Sequence, residues 1–440
     1  MSENRGGGLS VPDKPVPETP EAQYAAVQIV SDGLVPQRRK AVCLKFKCNN
    51  FYSNMITESK ILDRKILRSG HKTDQSLLWM VILMVSFSLL MIYSASIAYA
   101  AHDGGDQWFY LSRQAAFLGT GALAGLAAFK VPMAKWKKYT PWILFAALLL
   151  LAAVLAVGRE INGAKRWIHL GPVNLQPTEI FKLATILYLS SFFTRRAEIL
   201  KQFKKVRFSA VPVGIGLGLI MLEPDFGSFV VVTAVAMGLL FLAGLPWRWF
   251  LMMVGIGLAS MVALIAVAPY RMARVSAFLN PWEDPLGKGY QLTHSLMAIA
   301  RGEWFGVGLG ASLEKRFYLP EAHTDFILAV IGEEFGFVGI SVLIFCYAWL
   351  VWRAFSIGKQ ARDLELFFGA FVAKGIGIWL GIQSFFNIGV NIGLLPTKGL
   401  TLPLMSYGGS AVIIMLVCMA LLLRVDYENR LKMRGYKVEA

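Results

Sequence analysis

Chemistry in this chain must come from a few short stretches, because charged residues make up only 16% of it. The first stretch is Asn280-Pro281-Trp282-Glu283-Asp284-Pro285-Leu286-Gly287-Lys288-Gly289-Tyr290-Gln291. Two prolines bracket an acidic pair, and Pro285 biases Asp284 away from helical backbone angles. Gly287 and Gly289 permit angles that other residues avoid. Such a turn can hold one carboxylate, Asp284 or Glu283, where a general base must stand. The same pair also reads as ordinary solvated acids in a turn.

The second stretch, Gln176-Pro177-Thr178-Glu179-Ile180-Phe181-Lys182, sets Glu179 and Lys182 three apart, on one face of a helix. Ionisable groups in an apolar segment are costly and face a cavity or a partner. They read as a structural ion pair, or as a site where Lys182 meets an anionic headgroup with Arg166 above it. The arginine fork suits phosphate because it binds bidentately. In Glu223-Pro224-Asp225-Phe226-Gly227-Ser228, Asp225 is placed to cap the helix that follows. In Ala322-His323-Thr324-Asp325-Phe326, Asp325 is placed to cap another helix. Two turns deeper, Glu333 and Glu334 need partners, for which Lys374 is a candidate. The last stretch, Leu395 to Ser410, breaks an apolar run with Pro396, Pro403, Gly408, Gly409 and hydroxyls that include Ser406. Lys398 is the cation of this loop, and irregular backbone there should line a cavity.

Several classes of chemistry find no support. The histidines His71, His102, His169, His294 and His323 show neither H-x3-H nor HExxH spacing, so His323 is a weak metal candidate. Cys43 and Cys48 have no flanking ligands, and Cys346 and Cys418 fall in apolar runs, which suits neither zinc nor a disulfide framework. No Walker loop, Rossmann fingerprint or GxSxG elbow is present.

These stretches must be positioned by apolar helices. Mean hydropathy is +0.53, and the apolar residues gather in runs long enough to cross a bilayer, roughly 20 residues each. The runs are 77–98, 109–129, 141–157, 180–193, 208–222, 226–242, 250–267, 330–352, 367–390 and 411–423. The expected fold is all-α, a polytopic membrane protein of about ten transmembrane helices. A net charge of +16 could suggest nucleic acid. With both termini cytoplasmic, however, 31 of the 44 Lys and Arg fall on the inner side. Positive charge concentrates there in membrane proteins and meets anionic lipid headgroups. No nucleic-acid partner is therefore needed. Two connections then face outward and are long: 158–178, and the large loop of about 268–325 between helices 7 and 8. Within the latter, 291–301 reads as an amphipathic helix able to lie along the membrane surface. The expected organisation is a disordered then basic N-terminal tail over 1–75, a membrane domain over 76–425 and a C-terminal tail over 426–440. The basic part reads as a solvated juxtamembrane segment or as a docking segment for a cytoplasmic partner. Met55 is a candidate alternative start, and no cleavable signal precedes Leu77.

Together GAKRWIHLGPVNLQPTEIFKLA, EPDFGS, NPWEDPLGKGYQLTHSLMAIARG, AHTDFILAVIGEEFG and LPTKGLTLPLMSYGGS, in this order, resemble the SEDS family of membrane glycosyltransferases that polymerise peptidoglycan. The match covers about 77–424 and looks closest to the division member, with Ala411 standing where the family often has a second serine. The resemblance implies polymerisation of lipid II onto a nascent glycan strand at the septum, with loss of undecaprenyl diphosphate. It implies Asp284 as the catalytic residue and strengthens Arg166, Glu179, Lys182 and Lys398 as substrate-binding residues, to which the stretches above add Glu283, His323, Asp325 and Ser406 as candidates. It further implies a bacterial inner-membrane location and a class B penicillin-binding transpeptidase (FtsI-like) with other division proteins as partners. It implies no definite cofactor, with a divalent cation, Mg or Mn, as a candidate aid to the leaving group. The competing classes are a flippase or transporter of lipid-linked precursors, which intramembrane charges and broken helices would also fit, and a non-catalytic division scaffold.

Overall fold

The computed structural model describes residues 73–102, 106–161, 164–170, 173–195, 203–267, 272, 276–397 and 399–438. The expected tail over 1–75 thus lies almost wholly outside the described residues. Each expected span is a helix: α1 (Gln75–His102), α2 (Phe109–Lys130), α3 (Met133–Val157), α4 (Pro177–Arg195), α5 (Phe203–Leu222), α6 (Phe226–Leu242) and α7 (Trp247–Val267). After the loop helix α8 (Tyr290–Gly302) come α9 (Ile327–Asp363), α10 (Phe367–Asn391) and α11 (Gly409–Met433). Five of them, α1, α3, α9, α10 and α11, are long and apolar enough to cross a membrane by length and composition alone. The chain is a multi-pass helical membrane protein.

The core lies where α4, α10, α11 and the first half of α9 meet. Along α4 nearly every position from Pro177 to Leu189 is buried, Glu179 and Lys182 included. The outermost faces stay apolar and exposed, as at Trp142, Phe145, Val342 and Phe345, which suits lipid rather than water. One end of the bundle is braced by ion pairs. Asp74 caps α1 through the backbone N–H groups of Ser76 and Leu77 and pairs with Arg353 of α9. Arg424 pairs with Glu428 at 2.8 Å, and Glu428 accepts from Met133 N–H where α3 begins. The helix α11 continues through residue 425 without a break, because Asp426, Glu428, Asn429 and Arg430 are buried against its neighbours.

The opposite end carries the long connections. A three-stranded antiparallel meander, β1 (Arg159–Ile161), β2 (Ala164–Leu170) and β3 (Val173–Leu175), joins α3 to α4. Ile161 pairs with Ala164 and Leu170 with Val173. α8 does not lie free along a surface. Its apolar stripe faces protein, with Leu292 buried, Leu292 and Leu296 over Gly393, and Ile299 over Gly332. The approach to α9 is so close that a Cβ on Gly302 would sit 1.9 Å from the Gly332 carbonyl.

Candidate active site

Asp284 stands on an exposed turn whose shape its glycines allow. The N–H groups of Gly287 and Gly289 donate to the Asp284 carbonyl at 3.3 and 3.0 Å. The Lys288 N–H donates to the Asp284 carboxylate at 3.0 Å. A Cβ on Gly287 would sit 2.4 Å from that carboxylate, and one on Gly289 2.3 Å from the Pro281 carbonyl. Glu283 is exposed, with the Asn280 amide 3.4 Å away. The turn is fastened to α8 by the Thr293 hydroxyl, which donates to the Pro285 carbonyl at 3.4 Å. The helix is fastened in turn at its middle and at its C-terminal end. The Ser295 hydroxyl donates to the Asn391 carbonyl at 2.8 Å, and Arg301 pairs with Glu333 at 2.6 Å.

Glu333 and Glu334 have partners other than the one the sequence suggested. Besides Arg301, Glu333 accepts from the Ser312 hydroxyl and the N–H groups of Leu313 and Glu314. Glu334 pairs with Lys315 at 2.6 Å and accepts from Ser94 of α1 at 2.7 Å. Lys374 packs against Gly358, more than twenty residues further along α9, so the register of α10 keeps it from both acids.

A second group forms around Arg166, which β2 carries over the turn between α5 and α6. Its guanidinium donates to the Glu223 carbonyl at 3.4 Å and to the Pro224 carbonyl. Asp225 caps α6 as expected, accepting from the Ser228 N–H at 3.1 Å. Its other oxygen lies 3.5 Å from the Gln176 amide, and the Gln176 N–H donates to Ser410 at 3.1 Å. Burial and the nearby Asp225 push the Glu223 carboxyl up to about 8, against the opposing pull of Thr178 and Arg166. One Glu223 oxygen receives the Thr178 hydroxyl at 3.3 Å, and the other is buried with no hydrogen-bond partner. Burial, with Glu321 and then Asp225 adding to it, likewise raises Asp325 to about 7, while Arg166 opposes. Asp325 does not cap α9. Phe326 occupies that position without a side-chain cap. The Asp325 carbonyl is held by Asn387 and Asn391 at 2.8 and 3.1 Å, and a Cβ on Gly399 would sit 3.2 Å from its carboxylate.

A third group is sealed inside the bundle. Lys182 donates to Glu179 at 2.7 Å and to the Gln383 side chain at 3.2 Å, and its ammonium lies 5.5 Å from the centre of the Trp379 ring. Gln383 then donates to the Thr401 carbonyl at 2.9 Å. The i,i+3 pair is therefore real, and it ties α4, α10 and the 395–408 loop together instead of opening to the surface. In that loop the Ser406 hydroxyl accepts from the Leu402 N–H at 2.7 Å, closing a turn. The His323 ring sits among Tyr99, Tyr110 and Tyr407. Its Nδ1 is buried without a partner, and burial lowers its pKa. Lys398 lies outside the described residues. Among the described residues no group of three or more His, Cys, Asp or Glu is placed to hold a metal ion.

Of the expected site residues, Arg166, Asp325 and the Glu223–Asp225 turn share one electrostatic environment, and Glu179 and Lys182 share another. No hydrogen bond or ion pair among the described residues joins Asp284 to either. The sequence reading missed the meander that carries Arg166, although Asn162-Gly163 and Gly171-Pro172 are the kinds of dipeptide that connect antiparallel strands. It also missed Thr293, Lys315, Gln383, Asn387, Asn391 and Ser410. These are ordinary polar residues whose importance is their contacts, and nothing local marks them.

A polytopic helical membrane protein with an exposed loop carboxylate and an arginine-centred cluster of acids at one end is the class that fold and site define. The chain belongs to the FtsW/RodA/SpoVE family of cell cycle proteins, whose model matches residues 74–431. It is 61% identical over 415 residues to a probable peptidoglycan glycosyltransferase FtsW of Neisseria gonorrhoeae, covering 86% of this chain and 90% of that one. It is 49% identical over 373 residues to the protein of the same name from Aromatoleum aromaticum, covering 83% and 91%. Among solved structures it resembles a chain of a peptidoglycan synthase complex that coordinates polymerization and crosslinking. The TM-score is 0.65 at 32% identity, over 81% of this chain and 98% of that one. Thermus thermophilus rod shape determining protein RodA matches with a TM-score of 0.60 at 30% identity, over 81% and 97%.

Proposed function

We propose that the protein is a peptidoglycan glycosyltransferase that polymerises lipid II into glycan strands at the division septum. The observation that carries this reading is the exposed Asp284 carboxylate on a glycine-shaped turn pinned to α8, on a chain so similar to FtsW proteins. The C4 hydroxyl of the acceptor sugar attacks C1 of the donor from the face opposite the leaving group. Its proton passes to the Asp284 carboxylate as the new C–O bond forms. The bond from C1 to the lipid pyrophosphate breaks with inversion, and its electrons leave on the pyrophosphate. That group needs charge stabilisation rather than a second carboxylic acid, unlike the sugar alkoxide of a glycosidase.

Arg166 supplies that charge. The neighbouring acids support this role, because Glu223 at about 8 and Asp325 at about 7 are largely or partly protonated near neutrality. Lys182 is a positioning residue, holding Gln383 and through it the 395–408 loop. No step is routed through a divalent cation. A class B penicillin-binding transpeptidase is the partner this reading calls for, in keeping with the synthase complex that the chain resembles. The test is purified protein with labelled lipid II. Asp284→Asn loses polymerisation while keeping the parent's thermal stability. Polymer made at the parental rate would remove Asp284 from the reaction, and lipid II translocation without polymer would make the protein a flippase.

A further inference from the structure

Gly336 breaks α9 with φ +67° and ψ −163°. The break frees backbone groups that the preceding loop, between α8 and α9, takes up. The Val307 and Gly308 N–H groups donate to the Glu333 and Glu334 carbonyls at 2.9 and 3.1 Å. In return the Phe337 and Val338 N–H groups donate to the Glu303 and Trp304 carbonyls at 2.8 and 3.1 Å. The contact needs glycine on both sides. A Cβ on Gly306 would sit 2.2 Å from the Glu334 carbonyl, and one on Gly336 2.5 Å from the Gly306 nitrogen.

This stitching sets the depth of the loop. Seventeen residues separate Gly336 from Arg353, roughly 25 Å at the helical rise. The hydrocarbon core is about 30 Å thick. With the buried Arg353–Asp74 pair near the inner boundary, residues 304–308 fall close to the outer one. Their chemistry suits that depth. Residues 304–313 carry no charge, and Trp304 and Phe305 are 66% and 82% exposed. Trp304 packs edge-on against Phe337 with ring centres 5.3 Å apart. Phe337 is itself exposed and begins the apolar stripe that continues through Val338, Val342 and Phe345 along the span. The four hydrogen bonds to α9 lower the cost of placing this non-helical chain at that depth.

We propose that the 304–308 segment sits in the outer leaflet at the boundary between acyl chains and headgroups, with Trp304 and Phe305 against lipid and the exposed Glu303 at headgroup level. The loop that bears Asp284 is then anchored to the bilayer through α8, which ends at Gly302. Its occupant is lipid because the surface continues the lipid-facing side of α9 without a polar gap.

The test places an environment-sensitive fluorophore at Phe305→Cys in the full chain reconstituted into phosphatidylcholine nanodiscs. The unsubstituted chain, with its own cysteines, is the labelling blank. Leu286→Cys, on the turn beside Asp284, is the water-facing control, and Phe345→Cys is the mid-span control. At 305 the emission is blue-shifted relative to 286. It is quenched by lipids brominated near the headgroup more than by lipids brominated near the chain end, and iodide quenches it at least threefold less than at 286. Equal iodide quenching at 305 and 286 overturns the proposal. Protection from both iodide and brominated lipid also overturns it, since that assigns the surface to a second copy of the chain.

Discussion

Replacing Lys315 by Met tests whether the outer loop is held by its buried charges. Lys315 is 3% exposed and its ammonium lies 2.6 Å from Glu334, which is 1% exposed. The substitution removes the cation and leaves the carboxylate with the Ser94 hydroxyl at 2.7 Å as its remaining polar contact. Breaking a buried pair from one side costs about 3–5 kcal/mol, because the surviving charge stays desolvated. At about 2 °C per kcal/mol for a large domain, the melting temperature falls by about 6–10 °C. Lys315→Met combined with Glu334→Gln removes both charges and recovers most of the loss, since replacing a whole buried pair is often neutral. The assay is thermal denaturation of parent, single and double variants in one detergent at pH 7.5, read as the fraction remaining monodisperse. A single variant within 1 °C of the parent, or a double variant as unstable as the single, would refute the reasoning.

Other outcomes follow from the same contacts. Glu223→Gln extends the alkaline limb of donor use upward. In the parent, ionisation of Glu223 at about 8 and of Asp325 at about 7 progressively offsets the Arg166 charge, so an unchanged pH profile would count against that role. The sign for stability is also set. A carboxyl raised in the folded state binds its proton more tightly there, so its contribution is present below about 4.5 and is lost as pH rises through about 8. Parent melting temperatures therefore decline over that window, and Glu223→Gln makes the decline shallower. Gly302→Ala drives a methyl to within 1.9 Å of the Gly332 carbonyl and costs on the order of 1–3 kcal/mol, read as a lower melting temperature, whereas Gly214→Ala, inside α5 with open space around it, holds or slightly raises that temperature, because alanine favours the helix. Lys182→Met lowers both stability and turnover while leaving the apparent KM for lipid II within about twofold. A selective rise in KM would show that the ammonium meets substrate directly.

The sequence by itself determined the helices and the stretches on which chemistry could sit. Apolar runs of bilayer length can satisfy their backbone only by coiling, so each became a helix whatever its neighbours were. Local chemistry likewise set the Asp225 cap, the shared face of Glu179 and Lys182, and the glycine-dependent turn at Asp284. What each charge meets was decided by tertiary structure alone. Glu333 and Glu334 needed partners, yet only the packing of α8 and the 303–326 loop against α9 brings Arg301 and Lys315 to them rather than Lys374. Lys182 looked equally able to face a headgroup or a carboxylate, and the packing of α4 on α10 closes it against Glu179 and Gln383. Arg166 sat on a segment without a visible element, and the meander puts it over the acidic turn. The physical reason is range. Helix formation and capping act within four residues, whereas ion pairs and desolvation depend on which distant elements pack together.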